Sequence, residues 1–593
     1  MLPVLAGVAV VAAVLLFVSI GRGDLFNETD GQYASAGIRM SQGGDWLVPE
    51  NNGVPYLEKP PFLVWLIAGS FAIFGENEFA ARLPNALGII AWVLATTLLA
   101  TSLYRRREVA FYAGTILATC LGMFTLGRII MPEPWFCTWI VLALLAGYAT
   151  LFRAAQDWQM PAAFWGASAL ACFTNGWQGL LLPVGILIMT AVLRFIAARD
   201  ESGTLIRRLW KLLFSPFGWS IFLIINVPWL LWVESKFPGY IRHVFVTESM
   251  GYLTGNGAQD THHGNIGSME FLLLHSVWLF PWILVAAGGA ARLAHTWHSI
   301  LEPANALLLA WGTFGCGVLM AVGQRHDSSL MFVWPVFAIV TAHVFCEAGA
   351  RSASAVLAGF GALACIAAAT FRIWTAWLPD TISAFDARET AAAALVQMSG
   401  DVLRPLMPIL WYVGAVWAVC GVCAWFFSRR TEYSSRTLAG AFWVFAAAGT
   451  SLAGAEAMTC IAPFFSYSEI GRWLRANALG DSEICLDRAI DAGNSLFFYS
   501  GRAALPNGCI RLIEAEDRRE FATRAHGLGR DRYWTRDDLR EAWEGERAVY
   551  FVIERNLVAH WSILLPNARV LFTSGTQAVM GNLVAPGRPV PAN

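Results

Sequence analysis

Apolar runs of about 15 to 22 residues recur along the chain, each of the length that crosses hydrocarbon as a helix. They fall at 3–20, 83–104, 109–127, 135–152, 162–175, 178–197, 217–234, 271–290, 304–322, 330–347, 354–374, 406–427 and 438–456. This predicts about thirteen spans by the same criterion, with 162–175 the shortest. The first lacks an obvious small-residue cleavage site and runs straight into Gly21-Arg22-Gly23-Asp24, so it reads as a retained anchor.

Two stretches break the pattern. The first is a polar island from Asn27 to Pro61, just after the first span. It sets acids, a lysine, tyrosines and turn formers at a membrane edge, where charge is expensive unless a ligand or partner uses it. The run Phe62 to Phe74 that follows is too short to span and reads as a helix lying in the interface, with Pro60 and Pro61 suited to its first turn. The second is the tail. From about 457 charged residues become frequent and short β-like runs appear at Ile484 to Leu486, Ser495 to Tyr499, Ala548 to Ile553 and Arg569 to Thr573. Helical stretches lie between them, including 466–479 and 535–543, the latter opened by a capping-box pair, Thr535 and Asp538. The expected fold class is thus a polytopic α-helical membrane protein. Residues 1–456 form the membrane part, with a long first outer loop at 21–82, and 457–593 a soluble α/β domain on the outer face.

Composition agrees. With 593 residues, 56% hydrophobic and only 14% charged, the chain has too little polar surface to close a soluble globule. The net charge of −1 carries no nucleic-acid footprint. Its distribution orients the protein: with the N-terminus inside, alternation places Arg105, Arg106, Arg107, Arg194, Arg199, Arg207, Arg208, Lys211, Arg351, Arg429 and Arg430 on the inner side, as the positive-inside rule asks. The loops at 21–82, 128–134, 235–270, 323–329 and 375–405 and the tail then share the outer face. Cys420 and Cys423 form a C-x-x-C inside an apolar run with no second pair, a weak metal or redox signal. Cys485 and Cys509 lie in the tail, where an oxidising compartment would permit a bridge.

The order of an acidic pair, Tyr33-Ala34, Met40, Gly44-Asp45-Trp46, then Tyr56-Leu57-Glu58-Lys59-Pro60-Pro61 and later Arg82-Leu83-Pro84 resembles the first periplasmic loop of GT-C glycosyltransferases that use polyprenyl-phosphate sugars. Two branches are similar: the lipid A 4-amino-4-deoxy-L-arabinose transferases and the protein O-mannosyltransferases. The resemblance implies transfer of a sugar from a polyprenyl-phosphate donor to a lipid, glycan or protein acceptor, on the periplasmic face of a bacterial inner membrane. That chemistry suits these residue types. A lipid phosphate is already a good leaving group, so the site needs one base for the acceptor hydroxyl and cations for the phosphate. Rival readings are an O-antigen-type polymerase or ligase, and a transporter of lipid-linked sugars. The transporter reading would call for internal repeats and mid-membrane charges.

The resemblance also distributes roles. Its catalytic aspartate falls on Thr29 and its following glutamate on Asp30, so the base is Asp30, or Glu28 through a shifted loop; alternatively both acids cap the helix starting near Gly31. Glu133 is a further acid that orients the acceptor or simply starts a helix. Tyr33, Tyr56, Lys59, Arg128 and Arg325 are expected around the donor, with Lys59 on its phosphate. Glu58 with His263 or His262 would hold a divalent ion, zinc by ligand type or else magnesium or manganese. The bland alternative pairs Glu58 with Lys59 and leaves the histidines as solvated loop residues.

Overall fold

The computed structural model describes the chain apart from residues 19, 154–157, 198–201, 249–266, 296–301, 322–327, 371–403, 431, 432, 480, 488–492, 505–507, 516–520 and 583–593. Each expected span overlaps a helix among the described residues. Among the described residues eight helices are long and apolar enough to cross a membrane, or nine if Ser268–Trp278 and Ile283–Gly289, bent by 105°, make one span. The other expected spans fall short of the length criterion for stated reasons. The first, Leu2–Phe17, has 16 residues, and 109–127 is broken at Cys120 into Arg107–Thr119 and Leu121–Leu126. Helix Gln159–Asn175 has 17 residues, and the run at 330–347 gives the short apolar helix Met331–Glu347. The chain is a multi-pass integral membrane protein.

Within the helical part the core is built from large aromatics, including Trp92, Trp165, Trp282, Trp311, Trp334 and Trp443, all fully buried. Trp92 stacks on Trp334 with ring centroids 6.1 Å apart. Hydroxyls in this core turn back onto their own helices: Thr96 and Thr97 each donate at 2.9 Å to the carbonyl four residues earlier. That satisfies polar groups where no water is available.

At one end of the helical part four elements of the first loop come together: α2 (Glu28–Ser41), the strands β1 (Glu50–Asn51) and β2 (Val54–Pro55), and α3 (Phe62–Phe74). The helix expected at 62–74 is found at those residues. Asn52 and Gly53 join β1 to β2 with φ of 50° and 73°, the positive values a two-residue hairpin turn demands.

The tail folds into a six-stranded sheet of β3 (Glu483–Leu486), β4 (Arg511–Ile513), β5 (Tyr533–Trp534), β6 (Val549–Glu554), β7 (Arg569–Ser574) and β8 (Gln577–Gly581), in the order β5-β4-β3-β6-β8-β7. The first four strands in that order run parallel, and β8 and β7 close the edge antiparallel. Strand β3 is buried on both faces, as a parallel sheet requires. Helix Arg536–Glu544 has the expected cap: Thr535 Oγ1 accepts from Asp538 N at 3.2 Å and Asp538 Oδ2 accepts from Thr535 N at 2.7 Å.

Two expectations need correcting. Ser495 to Tyr499 is not a strand but part of a helix, Asn494–Ser500, in which every residue is buried; tertiary packing overrides the β preference of its aromatics. One face of the tail sheet packs with the first loop, Tyr33, Ile67 and Phe71 sharing one hydrophobic cluster with Ile484, Leu486, Phe497, Val552 and Val579, while a second cluster, with Ile513, Leu539, Trp543, Phe551 and Trp561, is made of tail residues alone. Cys485 and Cys509 are free thiols. Cys485, buried on β3, stands opposite Arg511 of β4, and Cys509 lies two residues before that strand begins.

Loop and tail backbones pack tightly at Gly31, where an added Cβ would lie 2.2 Å from Ser495 N and 2.4 Å from the Asn494 carbonyl carbon. Both are backbone atoms and cannot step aside. Gly31→Ala is therefore expected to lower stability by about 1–3 kcal/mol, read as a drop in the melting temperature of the purified protein. An unchanged melting curve would show that the helix at 494–500 does not seat on α2.

Candidate active site

The side chains that fasten the first loop are distinct from those that line its rim. Helix α4 (Glu78–Tyr104) starts at the cap of Asn77, whose side chain accepts from Ala80 N, and in its second turn presents Arg82. The Arg82 guanidinium donates to the carbonyls of Gly23 at 2.8 Å and Asp24 at 2.7 Å, and meets Asp30 Oδ2 at 3.4 Å. Asp30 is fully buried. Its oxygens also accept from Ile130 N at 2.5 Å and Phe26 N at 3.2 Å. Burial pushes its pKa up, against the opposing pull of Arg82 and the two backbone N–H groups. Arg128 is buried in the same knot, donating to the Arg22 carbonyl at 3.0 Å with its guanidinium over the Phe124 ring. Burial, with Arg82 nearby, lowers its pKa to about 10. Asn85, one turn along α4, donates to the carbonyls of Gly127 at 2.7 Å and Ile129 at 3.0 Å. This face of α4 therefore locks the first and second outer loops together. Asp30 and Arg128 sit inside the lock, in contrast to the expectation that they face substrate.

The rim carries the other candidates. Tyr33 on α2 and Tyr56 after β2 are both buried, their hydroxyls 3.4 Å apart and their rings edge to face. Burial raises the Tyr33 pKa, and the negative charges of Glu133 and Glu58 raise it further, so both carboxylates lie near this tyrosine pair. Glu133 opens helix α7 (Glu133–Phe152), is half-buried, and accepts from Ser328 Oγ at 3.5 Å. Glu58 is exposed. Lys59 is half-buried and its Nζ donates to Asn175 Oδ1 at 2.6 Å. Asn175 is the last residue of α8 (Gln159–Asn175), and Gly176 beyond it has a φ of 85°. An aromatic wall stands beside this rim, with Phe62 edge-on to Trp135 at 5.8 Å and Trp135 stacked on Trp139 at 5.7 Å.

The structure thus gathers Tyr33, Tyr56, Glu58, Lys59 and Glu133 at one outer rim and adds Asn175 and Ser328, to which sequence reasoning gave no role. The Asn175-Gly176 pair between two apolar runs was the available signal, since such a dipeptide marks a turn. Arg82 lay within the quoted Arg82-Leu83-Pro84 motif but was assigned nothing. Glu28 opens α2, but its side chain is outside those described, as are Arg325, His262 and His263. Among the described residues no group of three His, Cys, Asp or Glu side chains could hold a metal. The described part of the expected set is the single carboxylate of Glu58, too few donors for a tetrahedral ion.

Residues 21–241, which contain the lock and most of the rim, match the dolichyl-phosphate-mannose-protein mannosyltransferase family. The undecaprenyl phosphate-alpha-4-amino-4-deoxy-L-arabinose arabinosyl transferase of Pectobacterium carotovorum is 27% identical over 336 residues, 56% of each chain. The Yersinia pestis protein of the same description is 26% identical over 292 residues, 48% of this chain and 49% of its own. The chain spans about half the length of the curated relatives it matches. ArnT from Cupriavidus metallidurans, solved bound to undecaprenyl phosphate, superposes with a TM-score of 0.76 at 18% identity, covering 98% of this chain and 99% of that one. The GT-C fold expected from the first-loop motif is thereby borne out, and along nearly its whole length the chain has the fold of that ArnT.

Proposed function

We propose that the protein is a membrane glycosyltransferase that moves a sugar from a polyprenyl-phosphate donor, undecaprenyl phosphate being the favoured carrier, to a hydroxyl of an envelope lipid, glycan or protein. The observation that carries this reading is the convergence of Lys59, two carboxylates and a tyrosine pair on one outer rim beside an aromatic wall. Lys59, held by Asn175, neutralises the donor phosphate as the bond from the sugar anomeric carbon to the phosphate oxygen breaks. The acceptor oxygen forms the new bond to that carbon, and its proton passes to a carboxylate. Of the described carboxylates Glu133 is the best placed, being half-buried at a helix start, next to the tyrosines and Ser328. Glu28 is the alternative base. Glu58 is the one expected metal ligand on the described rim, and would share a divalent ion with His262 or His263. Mass spectrometry of envelope lipids, polysaccharide and glycoproteins from a deletion strain is expected to show one fraction losing one sugar mass while a polyprenyl-phosphate sugar accumulates. Unchanged fractions would overturn the reading.

We propose further that all thirteen expected spans cross the inner membrane and place this rim in the periplasm. An impermeant thiol reagent applied to intact spheroplasts, in a cysteine-free background, is expected to label Gln42→Cys and spare Gly203→Cys. Both positions are exposed. The reverse pattern would put the rim inside the cell.

A further inference from the structure

A cavity of mixed polar and apolar lining lies in the helical part, away from the rim. It measures about 260 Å³ and is lined by Val285, Gly288, Arg351, Ser352, Trp425 and the 349–350 turn. Three helices meet there. Ile283–His295 contributes its middle, Arg351–Ala369 its first residues, and Met407–Phe427 its last turn. Arg351 stands on the cavity wall, and Arg429 places its guanidinium 3.6 Å from the centroid of the Trp425 ring that forms another wall. Arg430 follows over Phe426 at 5.1 Å. No carboxylate among the described residues lies within ion-pair distance of these three arginines. The helices just beyond the cavity expose Val356, Phe360, Leu363, Val419, Val422 and Phe426, an apolar surface suited to acyl chains. By the charge pattern of the loops, this end of the bundle is the inner one.

We infer that this cavity binds the anionic headgroup of a phospholipid of the inner leaflet. Arg351 lines the hollow, Arg429 lies over the tryptophan that forms part of its wall, and apolar helix faces continue from it. A phosphate would accept from the Arg351 and Arg429 guanidinium groups, whose planar forks suit phosphate oxygens. The lipid tails would run along the exposed faces of 351–369 and 407–427. A freely diffusing phosphate would use only the first half of this arrangement, so the apolar continuation selects the lipid.

Native mass spectrometry of the purified full chain tests this with phosphatidylglycerol and phosphatidylcholine as probes. The wild type is expected to retain one phosphatidylglycerol in clear preference to phosphatidylcholine, with millimolar inorganic phosphate failing to displace it. Retention should fall about fivefold for each arginine neutralised, in Arg351→Ala and Arg429→Ala, and recover in Arg351→Lys and Arg429→Lys. Lys59→Ala should leave it unchanged, which separates the cavity from the rim. Equal retention of the two lipids by the wild type would overturn the inference without recourse to any variant. So would full displacement by inorganic phosphate, which would mark a small-anion site, or alanine variants that fold and retain phosphatidylglycerol as the wild type does.

Discussion

Replacing Lys59 by alanine is expected to reduce sugar transfer by roughly a hundredfold or more, with a weaker apparent affinity for the lipid donor. The ammonium is held at the rim by a 2.6 Å bond to Asn175, so it stands in position before a donor arrives. It acts on a group that is charged both in the bound donor and at the transition state, and both binding and turnover should therefore suffer. Folding should be nearly unaffected, since the side chain is only half-buried and Asn175 can turn to solvent. Initial rates at several donor concentrations, with purified protein in nanodiscs, provide the check. A variant with wild-type rates would remove Lys59 from the site.

Asp30→Ala should behave in the opposite way, with a loss of folded protein that precedes any loss of chemistry. The change strips the buried Arg82 of its carboxylate and leaves the N–H groups of Ile130 and Phe26 without their acceptor. Breaking a buried pair by removing one partner costs about 3–5 kcal/mol, enough to use up a large part of a protein's net stability. Asp30→Asn keeps the shape and one acceptor oxygen, so a smaller loss is expected. Thermal melts set beside turnover separate the lock from a base. A base would give an Asp30→Asn protein with wild-type melting, intact donor binding and roughly hundredfold lower turnover; a lock gives a lowered melting temperature in both variants.

This contrast shows what the sequence could and could not convey. The membrane class, the helix at 62–74, the capping box at Thr535 and strands β3, β6 and β7 were legible, because apolar period, run length and cap chemistry are local properties. The motif around Glu58 and Lys59 also pointed to the rim. What stayed hidden was contact between distant segments. Nothing near Asp30 in the chain says that Arg82 and Ile130 will close over it, yet that closure is what buries it. Ser495 to Tyr499 reads as a strand from its aromatics and becomes part of a helix because α2 and the helix at 468–477 pack over it and bury it. Cys485 and Cys509 are compatible in sequence, yet both are free thiols in the folded tail. Strands β4, β5 and β8 were missed because the first two have three and two residues and the third is a short buried run without alternation.

The most direct test of the central claim, that the rim around Lys59 holds a polyprenyl phosphate, is native mass spectrometry of the full chain with undecaprenyl phosphate. The wild type is expected to retain one molecule, Lys59→Ala to lose it by at least tenfold, and Arg351→Ala to retain it as the wild type does. Equal retention by wild type and Lys59→Ala would contradict the account.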